Sequence, residues 1–467
     1  MITAQMTLTS TTKRLATAIL IVLTITVLFG HLSRGSLRYD EAIYAEVSKE
    51  MVERGEWLTP HWNGKEWLEK PPAYLWATGV LFKLYRVSEF WARFASALSG
   101  VGVLLLTFLI ARRIYNDTTS GVLAVLILLS TQLFVYYARF GTTDTMLSLC
   151  ILLAVYAYLR TEDDERFWLL AGAGCGIALM VKGAAGLIGP AVLLVASLLD
   201  RRSLSILRSR WLWLAIAVAV LIALPWHSLM YWQHGDVFVR SYLSRHVINR
   251  ATSNINQFNR GYGFYISILR NLVSPWAYIL PFALIFAPRP RSFVVLILGL
   301  MVFGGYTLVQ TKFQWYILPA LPAFAVVIGG FLASFAKHKR QTQFGVGLLA
   351  VIILWGFAEF RTIRLIKTSD SEIESAARLA QVSNNDQGGI IAYPESLGMT
   401  VKFYSRRPLC TDSVLSKLSH NENVGCEPTG PTHMILRTAD RPTVGTRFTI
   451  NPLLEDGPLT YASIGRR

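Results

Sequence analysis

Charge is scarce in this chain. Asp, Glu, Lys and Arg make up 16% of its 467 residues, against roughly 25% in soluble domains. Apolar runs recur along most of its length, and no soluble core is large enough to hide them, so the solvent must be lipid. Cysteines number four, and no CxxC box is among them, which excludes the common zinc modules. No internal repeat and no low-complexity tract interrupts the pattern. The net charge is +16, yet the basic residues sit in short clusters between apolar runs rather than in one basic domain, which excludes nucleic-acid binding. A nucleotide loop is lacking too. "GAGCG" (172–176) lies inside an apolar run with no strand before it, and its small residues suit close helix packing.

What the chain does have is about eleven apolar stretches long enough to cross a bilayer. They cover 15–32, 91–111, 121–137, 145–160, 167–182, 186–200, 211–227, 264–287, 293–310, 316–336 and 342–360. The first follows Lys13 and Arg14 and has no small-residue cleavage site after it, so it reads as a retained anchor. Residues 73–85, after Pro71 and Pro72, form a shorter apolar segment suited to lying in the interface or re-entering. With the N-terminus cytoplasmic, Arg112 and Arg113, Arg160 and Arg166, Arg201 to Arg210, Arg289 and Arg291, and Lys337 to Arg340 all fall on the inner side. The other side receives 33–90, the turn near Asp144, the loop 228–263 and everything after Arg361. The expected fold is an all-α polytopic membrane domain (1–360) with a small extracytoplasmic α/β domain (361–467). The tail supports the second part through strand-length runs such as "GGIIAY" and "THMILR" between turn residues, and through the helical spacing of "SEIESAARLAQV". Cys410 and Cys426 lie in that tail, where a disulfide or two buried thiols both fit. Cys150 and Cys175 read as core residues.

Two acidic residues sit at the outer membrane edge. "RYDEAIYAE" (38–46) opens an amphipathic helix in which Asp40 fits either a helix cap or a catalytic carboxylate, while Glu50 and Glu53 read as solvated. "ARFGTTDTML" (138–147) brings Asp144 to the same side, and two carboxylates on loops that can converge make a candidate catalytic pair. "EKPP" (69–72) holds Lys70 in an extended entry, as a phosphate partner or as half of a local pair with Glu69. The stretch 225–250 after the seventh span supplies His227, His234, His246, Arg240, Arg245 and Arg250, a cationic wall suited to a phosphate or carboxylate, or a metal ligand set together with Glu69. "TKFQWYILPALP" (311–322) places Lys312 and Tyr316 at the same rim.

With "MVKGAAGLIGP" (180–190), these stretches resemble the GT-C superfamily of integral-membrane glycosyltransferases, and within it the bacterial branch of lipid A aminoarabinose transferases, relatives of the protein O-mannosyltransferases. The resemblance spans 38 to 322. It implies transfer of a sugar from a polyprenyl phosphate, with inversion, to a lipid A-like or other envelope acceptor, lipid or protein, at the outer face of a bacterial inner membrane. It implies Asp40 and Asp144 as catalytic carboxylates. Lys70, Arg245, Arg250, Lys312 and Tyr316 would take the donor phosphate, and Glu41 and Tyr44 would touch substrate. Glu69 and His246 match positions that can hold a divalent metal (zinc, magnesium or manganese). One departure is Ile43, which stands where close relatives carry Arg in DEARYAE. The competing class is a flippase for an anionic lipid-linked substrate. Such a protein needs polar groups deep in its spans, and here they gather at one rim.

Overall fold

Helix ends in the apolar part are made by hydroxyls, proline and glycine. The computed structural model describes residues 10–242, 252, 260–286, 293–335, 371–386, 388–410, 431–445 and 448–466. Helix α1 (Ser10–Phe29) is followed by α2 (Asp40–Arg54), α3 (Ala73–Leu84) and the long α4 (Glu89–Tyr115), which Ser88 caps at its start. Next come α5 (Thr118–Leu129) and α6 (Gln132–Ala138), expected as one span but bent by 75°. The cause is local: Ser130 Oγ donates to Leu126 O and Ile127 O, and Thr131 Oγ1 to Ile127 O. Side-chain hydroxyls take carbonyls that the next helical turn would have used.

Helices α7 (Thr143–Arg160), α8 (Phe167–Lys182), α9 (Ile188–Leu199), α10 (Ser203–Arg208) and α11 (Arg210–Phe238) continue the bundle. A Cβ on Gly172 would lie 2.1 Å from Ala215 O, and one on Gly174 would lie 2.9 Å from Cys150 O. The "GAGCG" stripe therefore packs α8 between α7 and α11, as its small residues predict. The helical run Phe167–Leu199 reverses on itself. Gly183 takes φ +56°, a Cβ on Gly186 would sit 2.5 Å from the Ala178 backbone, and one on Gly189 would meet Cys175 Sγ at 3.5 Å. The stretches expected as separate spans over 167–182 and 186–200 thus form one helical run with a turn in it, and Lys182 stands at that turn.

The stretch expected as one span over 264–287 is instead two helices, α12 (Phe264–Leu272) and α13 (Trp276–Phe286), crossing at 107°. Pro275 sits at the break, has no N–H to give, and restricts the residue before it. Helices α14 (Val294–Leu308) and α15 (Ala320–Phe335) complete the described apolar part; the stretch 342–360 lies outside the described residues. Four of the helical runs are long and apolar enough to cross a membrane, and the two bent pairs qualify jointly. At one end of the bundle Arg113 and Arg160 share Asp163 at 2.7 and 2.8 Å, and Arg202 holds Asp200 at 3.0 Å. The opposite end carries α2, α3 and the tail.

The tail contains helices α16 (Ser371–Val382) and α17 (Gly398–Tyr404) beside a five-stranded mixed sheet, so a small α/β unit is present. Its strands are β3 (Gly389–Tyr393), β4 (Leu409–Cys410), β5 (Pro431–Arg437), β6 (Phe448–Asp456) and β7 (Leu459–Arg466), in the order β4-β3-β5-β7-β6, after a two-residue hairpin of β1 (His61–Trp62) and β2 (Lys65–Glu66). Strand β3 runs parallel to β4 and β5, and β7 runs antiparallel to β5 and β6. Cys410 is disulfide-bonded and Cys150 and Cys175 are free buried thiols, while Cys426 lies outside the described residues. Leu37, Ala42 and Ala45 of the first loop and Ala92 of α4 share one core with Ile373, Ile390, Val401 and Tyr461 of the tail.

Two expectations for α2 need correction. Asp40 is the first helical residue, after Tyr39, and no side chain caps that end. Glu50 is buried rather than solvated. Its carboxylate accepts from the N–H groups of Asn63 and Gly64 at 2.6 and 3.0 Å. Both of those residues take positive φ in the tight Asn-Gly turn between β1 and β2. Glu46 is buried too, held by Lys402 at 3.2 Å and Lys49 at 3.0 Å, with Lys402 also 3.8 Å from Glu50. Glu53 remains exposed.

Burial pushes the Glu46 carboxyl up, against the pull of the two lysines. A raised carboxyl favours the fold only while protonated; that contribution is complete below 4.5 and is lost as pH rises through the folded value. At neutral pH the ionised group is therefore a net cost that its lysines offset only in part. Glu46→Gln is expected to change stability by less than about 1 kcal/mol, whereas Lys402→Met removes the cation shared by two buried carboxylates and costs about 3 kcal/mol. Thermal unfolding of both variants in detergent at neutral pH checks the contrast. Equal losses would show that Lys402 is not the main offset.

Candidate active site

The entry to α2 is held from the bundle side by one arginine. Arg93, four residues into α4, is 2% exposed. Its Nε and Nη2 donate to the two oxygens of Glu41 at 2.7 and 2.9 Å, and Nη1 donates to Leu32 O and Arg34 O. Glu41 also accepts from Gly141 N at 2.9 Å. A Cβ on Gly141 would stand 2.9 Å from Ala92 O, so only glycine allows this approach. One carboxylate thus ties the α2 entry, next to Asp40, to the turn that precedes Asp144. Glu41, expected to touch substrate, is enclosed in this clamp.

Asp144 is the second residue of α7, after Thr142, which gives no side-chain cap. Its carboxylate pairs directly with Lys182 at the Gly183 hairpin. The Lys182 ammonium lies 5.5 Å from the ring centre of Tyr316, and the Tyr316 ring is 4.8 Å from that of Tyr306. Tyr306 is within electrostatic reach of Asp144, and Tyr137 is within reach of both Asp40 and Asp144. Gln314 fixes the Tyr137 hydroxyl at 2.8 Å. Among the described residues no side chain pairs with the half-buried Asp40 carboxylate, so of the two it is the one open to a proton or an acceptor hydroxyl.

Lys70 reaches the same region from another side. Its ammonium donates to the Tyr44 hydroxyl and lies 4.6 Å from that ring's centre. Tyr44 packs edge-on to Tyr74 and Trp67, each at 6.0 Å. The Tyr74 hydroxyl meets Ser96 Oγ at 3.0 Å, and Ser96 Oγ donates to Thr142 O at 3.0 Å. The Lys70 cluster is thereby connected to the start of α7. Behind both clusters stands α11. Trp226 Nε1 donates to Leu58 O, and His227 bonds the Tyr242 hydroxyl at 2.9 Å. A Cβ on Gly183 would fall 2.2 Å from that hydroxyl, so Tyr242 seats the turn that carries Lys182.

Lys312 is buried, donates to Val309 O at 2.6 Å and lies 5.7 Å from the Tyr262 ring centre. Arg245, Arg250 and His246 lie outside the described residues. Arg240 is exposed, and His234 pairs with Glu66 at 3.1 Å rather than with Glu69. Among the described residues no group of three or more His, Cys, Asp or Glu stands together. His246, the ligand expected beside Glu69, lies outside the described residues. Sequence reasoning did not place Lys182 or Arg93 in the site, although a lone charge at the rim of an apolar run is the signal for both.

The arrangement gives cations and hydroxyls for an anionic headgroup, one open carboxylate and one paired carboxylate at a single end of an apolar bundle. Residues 69–232 match the family model described as dolichyl-phosphate-mannose-protein mannosyltransferase. A protein of Serratia proteamaculans, described as undecaprenyl phosphate-alpha-4-amino-4-deoxy-L-arabinose arabinosyl transferase, is 28% identical over 334 residues, covering 68% of this chain and 60% of the relative. An uncharacterized protein of Aquifex aeolicus is 28% identical over 333 residues, 70% of this chain and 64% of its own. The match thus spans less than two thirds of either relative. In fold, the chain is similar to the crystal structure of ArnT from Cupriavidus metallidurans bound to undecaprenyl phosphate, with a TM-score of 0.80, 20% identity and 98% of both chains covered. It is also similar to the oligosaccharyltransferase AglB of Archaeoglobus fulgidus, with a TM-score of 0.62, 12% identity, and 97% and 74% coverage.

Proposed function

We propose that this chain, which has the GT-C fold and resembles the aminoarabinose transferases and protein O-mannosyltransferases, moves a sugar from a polyprenyl phosphate to a lipid A-like or other cell-envelope acceptor. The observation that carries the reading is the meeting at one rim of Asp40, the Asp144–Lys182 pair and the Lys70–Tyr44 pair. Bond cleavage at the anomeric carbon leaves negative charge on the carrier phosphate, and cations fixed beforehand stabilise that charge without reorganising. Lys70 and the Tyr44 hydroxyl are built to supply this. A hydroxyl acceptor needs a base and a phosphate acceptor does not. Asp40 serves the first as base and orients the second. Asp144, neutralised by Lys182, keeps the rim from repelling a phosphate. The outcome at the anomeric carbon is inversion, with the acceptor entering opposite the leaving phosphate. The setting is a bacterial inner membrane, with the N-terminus cytoplasmic and the tail periplasmic.

Purified protein incubated with undecaprenyl phosphate-4-amino-4-deoxy-L-arabinose and envelope lipid extract is expected to release undecaprenyl phosphate. Movement of the donor across vesicles without bond cleavage would instead identify a flippase. In the same assay Lys70→Ala is expected to weaken affinity for undecaprenyl phosphate about tenfold, the value of one lost charge-assisted hydrogen bond. An unchanged affinity removes Lys70 from the phosphate site.

A further inference from the structure

The tail reaches across the sequence to hold the backbone just ahead of Asp40. Ser36 N and Oγ donate to the Glu374 carboxylate at 2.8 and 2.9 Å. Leu37 is fully buried, and side chains of α17 take both polar groups of its backbone. The Tyr404 hydroxyl accepts from Leu37 N at 3.0 Å, and Thr400 Oγ1 donates to Leu37 O at 3.0 Å. Tyr404 then donates to Glu89 at 2.8 Å, at the start of α4. Between Leu37 and Asp40 stands Tyr39 with φ +51° and ψ −137°, a backbone state that residues with a Cβ rarely adopt. Its ring is 49% exposed, so packing of that side chain does not hold the conformation. The two flanks do. Leu37 is gripped by the tail and Glu41 by Arg93 and Gly141.

We propose that the tail is a positioning device for the transferase site: Thr400, Tyr404 and Glu374 hold residues 36–37 so that Tyr39 stays in its rare conformation and Asp40 faces the reacting centre. Side chains of the tail need not touch substrate for this. They act through the backbone three residues away; Lys70 stands outside α2, and Tyr44 lies a full turn further into that helix. The inference rests on the transferase reading for its kinetic consequence and on geometry alone for its structural one.

The test uses the full chain in detergent, with Tyr404→Phe and Thr400→Val combined, and the same pair carrying Tyr39→Gly. The pair is expected to lower kcat at least tenfold while affinity for undecaprenyl phosphate stays within twofold. Hydrogen exchange in a peptide covering 36–42 is expected to accelerate. Adding Tyr39→Gly, which accepts positive φ without strain, is expected to recover at least a third of the lost rate. A kcat within twofold of wild type, affinity falling in step with kcat, or no recovery by glycine overturns the proposal. Should the pair fail to fold, Ser36→Ala, which removes one bond to Glu374, is expected to lower kcat two- to fourfold in the same pattern; a rate unchanged by it also overturns the proposal. Should the wild type release no undecaprenyl phosphate, the transferase reading fails on its own, and unchanged exchange over 36–42 remains the result that sinks the clamp.

Discussion

Replacing Arg93 by methionine is expected to destabilise the protein by about 3–5 kcal/mol, the range for removing one partner of a buried ion pair. Methionine fills much of the volume but returns none of the donors. Glu41 would be left enclosed without its guanidinium partner, its side chain fully buried, while Gly141 N still donates to it. Leu32 O, Arg34 O and Ser36 O would lose their partner as well. The double variant Arg93→Met with Glu41→Gln is expected to recover a large part of the loss, because no uncompensated charge then remains. Thermal unfolding of the wild type, both single variants and the double variant gives the coupling directly. A single-variant loss below about 1 kcal/mol, the value for a surface pair, would mean that the clamp is solvated.

The largest effect on activity is expected at Asp40. Asp40→Asn keeps the size and most of the polarity of the side chain but cannot take a proton. Turnover onto a hydroxyl acceptor should fall by a factor of about 10²–10⁴, the usual contribution of a positioned general base. Affinity for undecaprenyl phosphate should hold, because Asn keeps the size of the side chain and leaves the Lys70–Tyr44 pair in place. Initial-rate assays with titrated donor separate the two quantities. Full turnover in the variant would take Asp40 out of the chemistry. A loss confined to donor affinity would make it part of the phosphate site instead.

The run lengths of the apolar stretches made most of the bundle legible, since a bilayer imposes one minimum length on every crossing. Asp40, Asp144 and Lys70 were legible for a similar reason: charge at the edge of an apolar run is costly, so its presence is informative. The bends were not, because Ser130 and Thr131 look like any hydroxyl pair until the helix carbonyls they donate to are known. Glu46 and Glu50 looked like the wet face of a short helix. Their spacing is that of a solvated stripe, and the lysine that covers them, Lys402, lies in the tail. Arg93 sat inside an expected span without being weighed. Its four acceptor groups come from segments 52 to 61 residues away, and spacing along the chain cannot reveal a partner brought in by folding.

The shared core of the first loop and the tail also sets a clock. Lys402 follows Glu46 by 356 positions, and ribosomes add roughly 5–20 residues per second. The nascent loop therefore waits about 20–70 s, with its acids hydrated and Leu37 bare, before the strand-rich end arrives to cover them. During that interval the turn at Tyr39 is held on its Glu41 flank alone. If the tail positions Asp40 as proposed, a chain stalled before Thr400 is expected to lack transfer activity.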